Sequence, residues 1–419
     1  MSARSYRSMP PEGAVDRRGF LKHGAVAAAA AAAVTTTGVG NRFLFAGEAA
    51  QNAPAQKTPP PKTKTNIEDA LKIPRTKFSL PGLFPGLVVE VHDPAAMPEG
   101  KVNGEVVKAM FEKGIAALTG KSPRDSFSLF FSKDDVVGLK VNPVGPGLIS
   151  TRLELVDAVA AWLEAGGIPR KNIVIWDRFD YMLTDAGFTA ARYPGFSIEG
   201  MQTMDEAAAE AALAKKEADN SKWLKADGTH VSVPNFDQEK FYWADVEGPK
   251  DLAYLNQHVF NGKFSYFGKL LTKKLTKFIN LPVFKNSGPA ISMATKNIGY
   301  GAICNTNRLH VPLFLDVCVE PLAFPDIRDK MVLNITDGLR CQYDGGPGPN
   351  AKFAYIDNKI YLATDPFALD MVCHNLIVAK RKEMGVPVNE NPRNTEYLRY
   401  AERLGLGIVS GEKLHHVKA

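Results

Sequence analysis

Between Leu252 and Leu315 the chain has no aspartate or glutamate, although its overall acidic frequency (45 in 419) would place about seven there. Seven lysines and one arginine occupy the same stretch, so its local field is positive. Cysteine is also scarce. Cys304, Cys318, Cys341 and Cys373 form no C-x-x-C pair, which leaves tetrathiolate zinc or an iron–sulfur cluster without sequence support. Two disulfides are open to them in an oxidising compartment, and spacing alone does not pair them. Gly145 and Gly147 begin a G-x-G, but position 150 is serine and no G-K-[ST] follows, so neither an NAD nor a P-loop nucleotide site is read. Seryl-hydrolase, zincin and kinase signatures are missing as well. The apolar run near the start falls short of the roughly 20 residues a membrane span needs. Net charge is +6, and +3 once the first 49 residues are set aside, which argues against a general nucleic-acid binder.

What is present is a globular composition, 45% hydrophobic and 23% charged, long enough for one large or two ordinary domains. The start differs in kind. Asp16–Lys22 reads D-R-R-G-F-L-K, and Gly24 and an alanine-rich run from Ala25 to Val34 follow, the order of a twin-arginine export signal. Gly47 and Ala49 supply small residues for cleavage, so residues 1–49 read as a signal peptide. This implies export of a folded protein by the twin-arginine translocase to the periplasm or cell envelope of a bacterium, with no transmembrane span in the mature chain. Residues 50–66 contain APAQKTPPPKTKT, an exposed tether with little surface to bury. Residues 67–419 form the folded domain.

Apolar runs predict strands at Leu87–His92, Val136–Asn142, Asn172–Trp176, Phe278–Phe284 and Met331–Thr336, and a hairpin of Phe353–Ile356 with Lys359–Ala363. Helical spacing covers Gly104–Leu118, closed by Gly120, and the segment after Thr151, whose T-R-L-E matches a capping box. It also covers Phe264–Phe278, with Lys269, Lys273, Lys274 and Lys277 on its polar side, a helix opened by Asp365-Pro366, and Asn394–Leu404. Those four lysines fit a solvated helix face; the alternative is an electrostatic funnel or contact with an anionic membrane surface. Strand, glycine loop (Pro143–Ser150), capped helix and strand make a βαβ unit. The fold class is therefore α/β: a mostly parallel sheet with flanking helices in one large domain. An insertion at about 189–250 holds an Ala/Glu helix, Asp205–Asp219.

Eight motifs stand in order: VGLKVN (137–142), IVIWD (173–177), NLPVFK (280–285), TKNIGYG (295–301), NRLH (307–310), TDGL (336–339), GGPGP (345–349) and TDPFALD (364–370). Together they resemble the domain of unknown function 362 family over about Leu87 to Gly407. The resemblance implies export by the twin-arginine route, in agreement with the leader, and it speaks to fold and site position more than to activity. Some relatives carry a ferredoxin-like module with closely spaced cysteines. This chain lacks it, so the resemblance implies no iron–sulfur cluster here.

Polar residues recur where strands end: Lys140, Asp177, Lys285, Asp337 and Asp365. Ligands of open parallel sheets bind beyond the carboxyl ends of the strands. A lysine in a strand can guard an edge, and an aspartate before proline caps a helix, which suffices for Asp365. No cap explains Lys140, Lys285 and Lys296, and three buried ammonium groups without an anion are costly. The expected site is thus an anion-binding crevice. Lys140, Lys285, His310 and Asp337 are its catalytic candidates, and Asn142, Lys296, Asn297, Gly299 and Asp365 its ligand-binding ones. The leading reading is an exported enzyme acting on a carboxylate- or phosphate-bearing small molecule. His310 or Asp337 would move protons, or a lysine of depressed pKa would act as base or nucleophile. The alternative is a non-catalytic exported binder of an anion or a metal, or the partner of a redox system. Asp370 and His374, four apart on one helix face, are the metal candidates, a spacing that ordinary packing also produces. No cofactor is identified.

Overall fold

A computed structural model of the protein describes residues 63–202, 235–246, 264–306, 309–310, 313–388 and 391–419. The export leader, most of the tether and the Ala/Glu segment at 205–219 lie outside the described residues. In chain order the regular elements are α1 (Ile67–Leu71), β1 (Leu87–His92), α2 (Gly104–Thr119), α3 (Pro123–Phe130), β2 (Val137–Val141), α4 (Leu153–Ala165), β3 (Ile173–Phe179), α5 (Asp180–Asp185) and β4 (Ser197–Gln202). They continue with β5 (Phe236–Trp243), β6 (Phe264–Gly268), β7 (Lys277–Leu281), β8 (Val283–Ser287), β9 (Ala290–Ile291), α6 (Ala294–Gly299) and α7 (Pro325–Arg328). Last come β10 (Met331–Gln342), β11 (Ala354–Ala363), α8 (Pro366–Glu383), α9 (Arg393–Arg403) and β12 (His415–Lys418).

Ten strands form one mostly parallel sheet in the order β12-β1-β11-β10-β7-β2-β3-β4, with β8 and β9 attached beside β10. β2 sits between β7 and β3 and is buried on both faces. Val137, Leu139 and Val141 join one core with Phe111, Val156 and Leu163. Gly138 turns the other way, against Leu275, Trp176 and Phe278. A central strand has no edge to guard, so the edge reading of Lys140 falls. The sheet reverses its winding at β2. The chain steps outward through β3 and β4, then returns to lay β7 on the opposite side of β2. In doubly wound sheets the crevice opens at this switch point, outside the carboxyl ends of the two strands.

Several expectations are corrected. Phe264–Phe278 is not a helix: its first five residues are β6, paired antiparallel with β5, and Leu270–Lys274 is a π-helical turn. Lys273 lies 3.3 Å from Asp237, Lys274 pairs with Glu199, and Lys277 lies 3.4 Å from Asp135, so these three balance local carboxylates. The long strand at Phe278–Phe284 is broken at Pro282 into β7 and β8, both against β10. The hairpin at 353–363 is one strand, β11, in which Asn358 takes a left-handed φ of 53°. Part of the stretch assigned to an insertion is sheet, since β4 pairs with β3. Thr151 does not cap α4. Its hydroxyl donates to Leu281 O at 2.7 Å, and the backbone N–H of Arg152 is taken by Asp337 Oδ2 at 2.7 Å.

Candidate functional site

The register of the three central strands draws a polar row through an apolar sheet. Lys140 of β2 faces Asn280 of β7, and Asn280 faces Asn334 of β10. All three are buried. Groups of this kind persist in a core only when bonded, and these are. Lys140 Nζ donates to the Asp177 carboxylate within β3, to Val141 O at 2.9 Å and to Asn297 Oδ1 at 3.2 Å, which places all three ammonium protons. Asn297 Oδ1 also accepts from Asn142 Nδ2 at 3.2 Å, and Asn297 Nδ2 donates to Asn280 Oδ1 at 2.8 Å. Asn280 Nδ2 passes the chain on to Asn334 Oδ1 at 2.9 Å and Ala294 O at 3.0 Å. Burial lowers the Lys140 pKa while Asp177 opposes the shift. Gly301 lets the helix end approach this pair, since a Cβ there would stand 2.8 Å from Lys140 Cε and 2.2 Å from Asn297 O.

Lys285 and Lys296 are in a different position. Lys285, 1% exposed, donates to Asn142 Oδ1 at 3.1 Å, and no other hydrogen-bond partner reaches its ammonium among the described residues. Two residues along β8, Ser287 Oγ accepts from Lys296 Nζ at 3.2 Å. Residues two apart on a strand share a face, so the two amines emerge together. Lys296 is partly buried and lies over the rings of Phe314 and Tyr300, at 4.5 and 5.8 Å. Neither lysine has an ion pair with a carboxylate among the described residues. Burial, then the Lys296 and Lys140 charges, push Lys285 down to about 7, and burial pushes Lys296 to about 8.

The remaining candidates divide. His310 is exposed and joins the aromatic cluster that carries Lys296, its ring 4.3 Å from that of Tyr300 and its Nδ1 3.0 Å from Thr306 O. Asp337 is not at a strand end: β10 runs on to Gln342, and its oxygens cap Arg152 N and Leu339 N (3.1 Å) with no bond to the lysines. Asp365 leaves β11, which runs antiparallel to β10, so it emerges at the opposite edge of the sheet from the lysines. Four backbone N–H groups (Phe367, Ala368, Gly86 and Ile408) occupy its carboxylate, and burial raises its pKa to about 7. It is a helix cap tying α8 to the chain ends. Gly299 serves packing, because a Cβ would meet Val317 O at 2.1 Å.

Asp370 and His374 have separate surroundings. Asp370 accepts from Ala294 N (2.8 Å), Thr295 N (3.0 Å) and Thr295 Oγ1 (2.5 Å), so it clamps the start of α6, the helix carrying Lys296 and Asn297. His374 Nδ1 is buried without a hydrogen-bond partner among the described residues, and burial with the nearby Arg381 lowers its pKa to about 4. Among the described residues no three His, Cys, Asp or Glu side chains group as metal ligands. The four cysteines are buried free thiols. Asn280, Asn334 and Ser287 complete the site without having been singled out as site residues. Asn280 and Asn334 had a signal, each being an amide in the middle of an apolar strand sequence (FINLPVF, MVLNIT). Arg178, which donates to Thr306 Oγ1 beside this cluster, had no comparable mark.

No curated protein and no solved structure gives a significant match to the chain. Residues 137–375, from the start of β2 into α8, match the model of the family described as domain of unknown function (DUF362); this is more than half of the chain, which therefore belongs to that family.

Proposed function

We propose that the protein is an exported enzyme acting on a small molecule that carries a carboxylate or phosphate, bound at the switch point between β2 and β7. One observation carries the reading: Lys285 and Lys296 share a face without a carboxylate partner among the described residues, whereas the neighbouring buried Lys140 is matched by Asp177. Isolated buried ammonium groups are strongly disfavoured, and an anionic ligand supplies the missing charge. The Lys140–Asp177–Asn297 network fixes the floor. Asn142 orients the ligand beside Lys285, and His310 moves protons from the Lys296 side. The leader with Arg17 and Arg18 supports delivery to the periplasm or cell envelope.

A panel of phosphate and dicarboxylates should raise the melting temperature of the mature protein, with the shift lost in Lys285→Ala. No shift with any anion defeats the reading. Turnover of a metabolite library by the same preparation separates an enzyme from a binder. Replacing Arg17 and Arg18 by lysine should retain the protein in the cytoplasm on cell fractionation.

A further inference from the structure

The amine least explained by holding an anion is Lys285. Lys140 has three acceptors, and Lys296 has Ser287, two aromatic rings and partial access to solvent. Lys285 has one acceptor and no access. Asp177, the one carboxylate bonded to the cluster among the described residues, is already engaged by Lys140. A second uncompensated ammonium two residues along the same strand face makes the neutral amine the favoured form of the inner lysine. An amine freed of its proton by burial beside another cation is an activated nucleophile toward carbonyls.

We infer that Lys285 forms an imine with an oxo acid, an aldehyde or ketone whose carboxylate is held by the outer Lys296. The inference rests on the anion-site reading and names its substrate class. The Nζ lone pair forms a bond to the carbonyl carbon, and the C=O π pair moves to oxygen. Once protonated, this is the carbinolamine. The C–O bond then breaks, and the oxygen leaves as water with the two protons the amine gave up, leaving C=N with no change of oxidation state. Asn142 Oδ1 orients the amine. Two Gly/Pro-rich loops meet at Gly145 and Pro349, one bonded to Asn142 through Val144 N and the other to Gln342, the β10 neighbour of Lys285. The oxo acid would lie with its carbonyl at Lys285 and its carboxylate toward Lys296, the more exposed of the two amines.

The test incubates the mature protein at pH 7.5 with pyruvate or the longer levulinate and sodium cyanoborohydride, followed by intact-mass and peptide-mapping mass spectrometry. Uncharged acetone serves as control, and malonate, which has no ketone or aldehyde, reports on the anion site by thermal shift. The expected result is one stoichiometric adduct, on Lys285, formed at least tenfold faster with an oxo acid than with acetone. Malonate should slow it, and Lys296→Ala should remove the preference over acetone. Lys285→Arg keeps the charge and should lose the adduct while retaining the malonate shift; should that variant not fold, the wild-type peptide map still decides. A malonate shift without an adduct on Lys285 from either oxo acid overturns the imine and leaves the anion site standing. Neither shift nor adduct removes both, and labelling spread at equal rates over exposed lysines such as Lys273 and Lys274 overturns the imine alone.

Discussion

At the scale of single residues, the three inward lysines differ by their partners, and that difference sets opposite consequences for their removal. Lys140 and Asp177 form a buried pair. Converting Asp177 to Asn leaves the ammonium unmatched and should cost about 3–5 kcal/mol in urea unfolding at pH 7. Removing Lys285 should do the reverse. Its ammonium, with a folded pKa of about 7 against an ordinary 10.5, is disfavoured in the fold. Below pH 7 both states carry the proton and the penalty is complete. Between 7 and 10.5 only the unfolded lysine keeps it, so this residue's destabilisation fades as pH rises. The shift corresponds to on the order of 5 kcal/mol. Lys285→Met should therefore melt higher than the parent at pH 6 and no higher near pH 10. A variant less stable at both values would mean that the amine is satisfied by something other than Asn142.

At the scale of elements, α6 has six residues, too few to be stable alone. It holds its place because Asp370, reaching from α8, takes the N–H groups of Ala294 and Thr295 and the Thr295 hydroxyl. Asp370→Ala removes a buried N-terminal clamp, worth about 1–2 kcal/mol by analogy with other caps. It should also speed amide hydrogen exchange at 294–299 by about tenfold while leaving β2 and β3 unchanged. Uniform acceleration across the sheet would instead mean that the clamp supports the whole domain. A bond between residues 76 apart has no sequence signature, and this is why Asp370 could be read as a metal candidate or as ordinary packing but not as the clamp on α6. The same reasoning separates what was legible elsewhere. The β2–α4–β3 unit was readable because each element's pattern is local. Phe264–Phe278 was misread because Phe264, Tyr266 and Gly268 owe their strand to β5, beyond any local window. Strand direction is equally invisible, so Asp365 looked like a residue at the ligand edge. Lys140 and Lys285 were visible as charges inside apolar runs, whereas Asn280 and Asn334 carry the same information without a charge to mark them.

At the scale of the whole molecule, the acid-free stretch from Leu252 to Leu315 delivers both unmatched lysines to the place where the sheet changes its winding. Topology and charge thus converge on one end of β2 and β7, and the pH response of the fold tests whether they do so for a ligand. Two kinds of buried group pull stability in opposite directions. Asp365 and Asp370, raised to about 7 and about 6, are neutral more readily in the fold, so their contribution declines as pH climbs from near 4 to those values. Lys285 and Lys296, lowered to about 7 and about 8, lift stability as pH climbs beyond those values. The free protein's stability curve therefore mixes the two. The two carboxylates are bonded to backbone N–H groups and the Thr295 hydroxyl, away from the ligand, so they cancel when stability with an anion is subtracted from stability without it. What remains depends on the ammonium groups alone. Malonate, which unlike phosphate does not ionise further near neutral pH, should bind most tightly at pH 6–6.5 when measured by calorimetry. Its affinity should weaken about tenfold per unit above pH 7, and more steeply above 8 where the second lysine also discharges. An affinity that stays flat from pH 6 to 9 would mean that a guanidinium, such as Arg178 at Thr306 or Arg381 at Gly288, holds the anion instead.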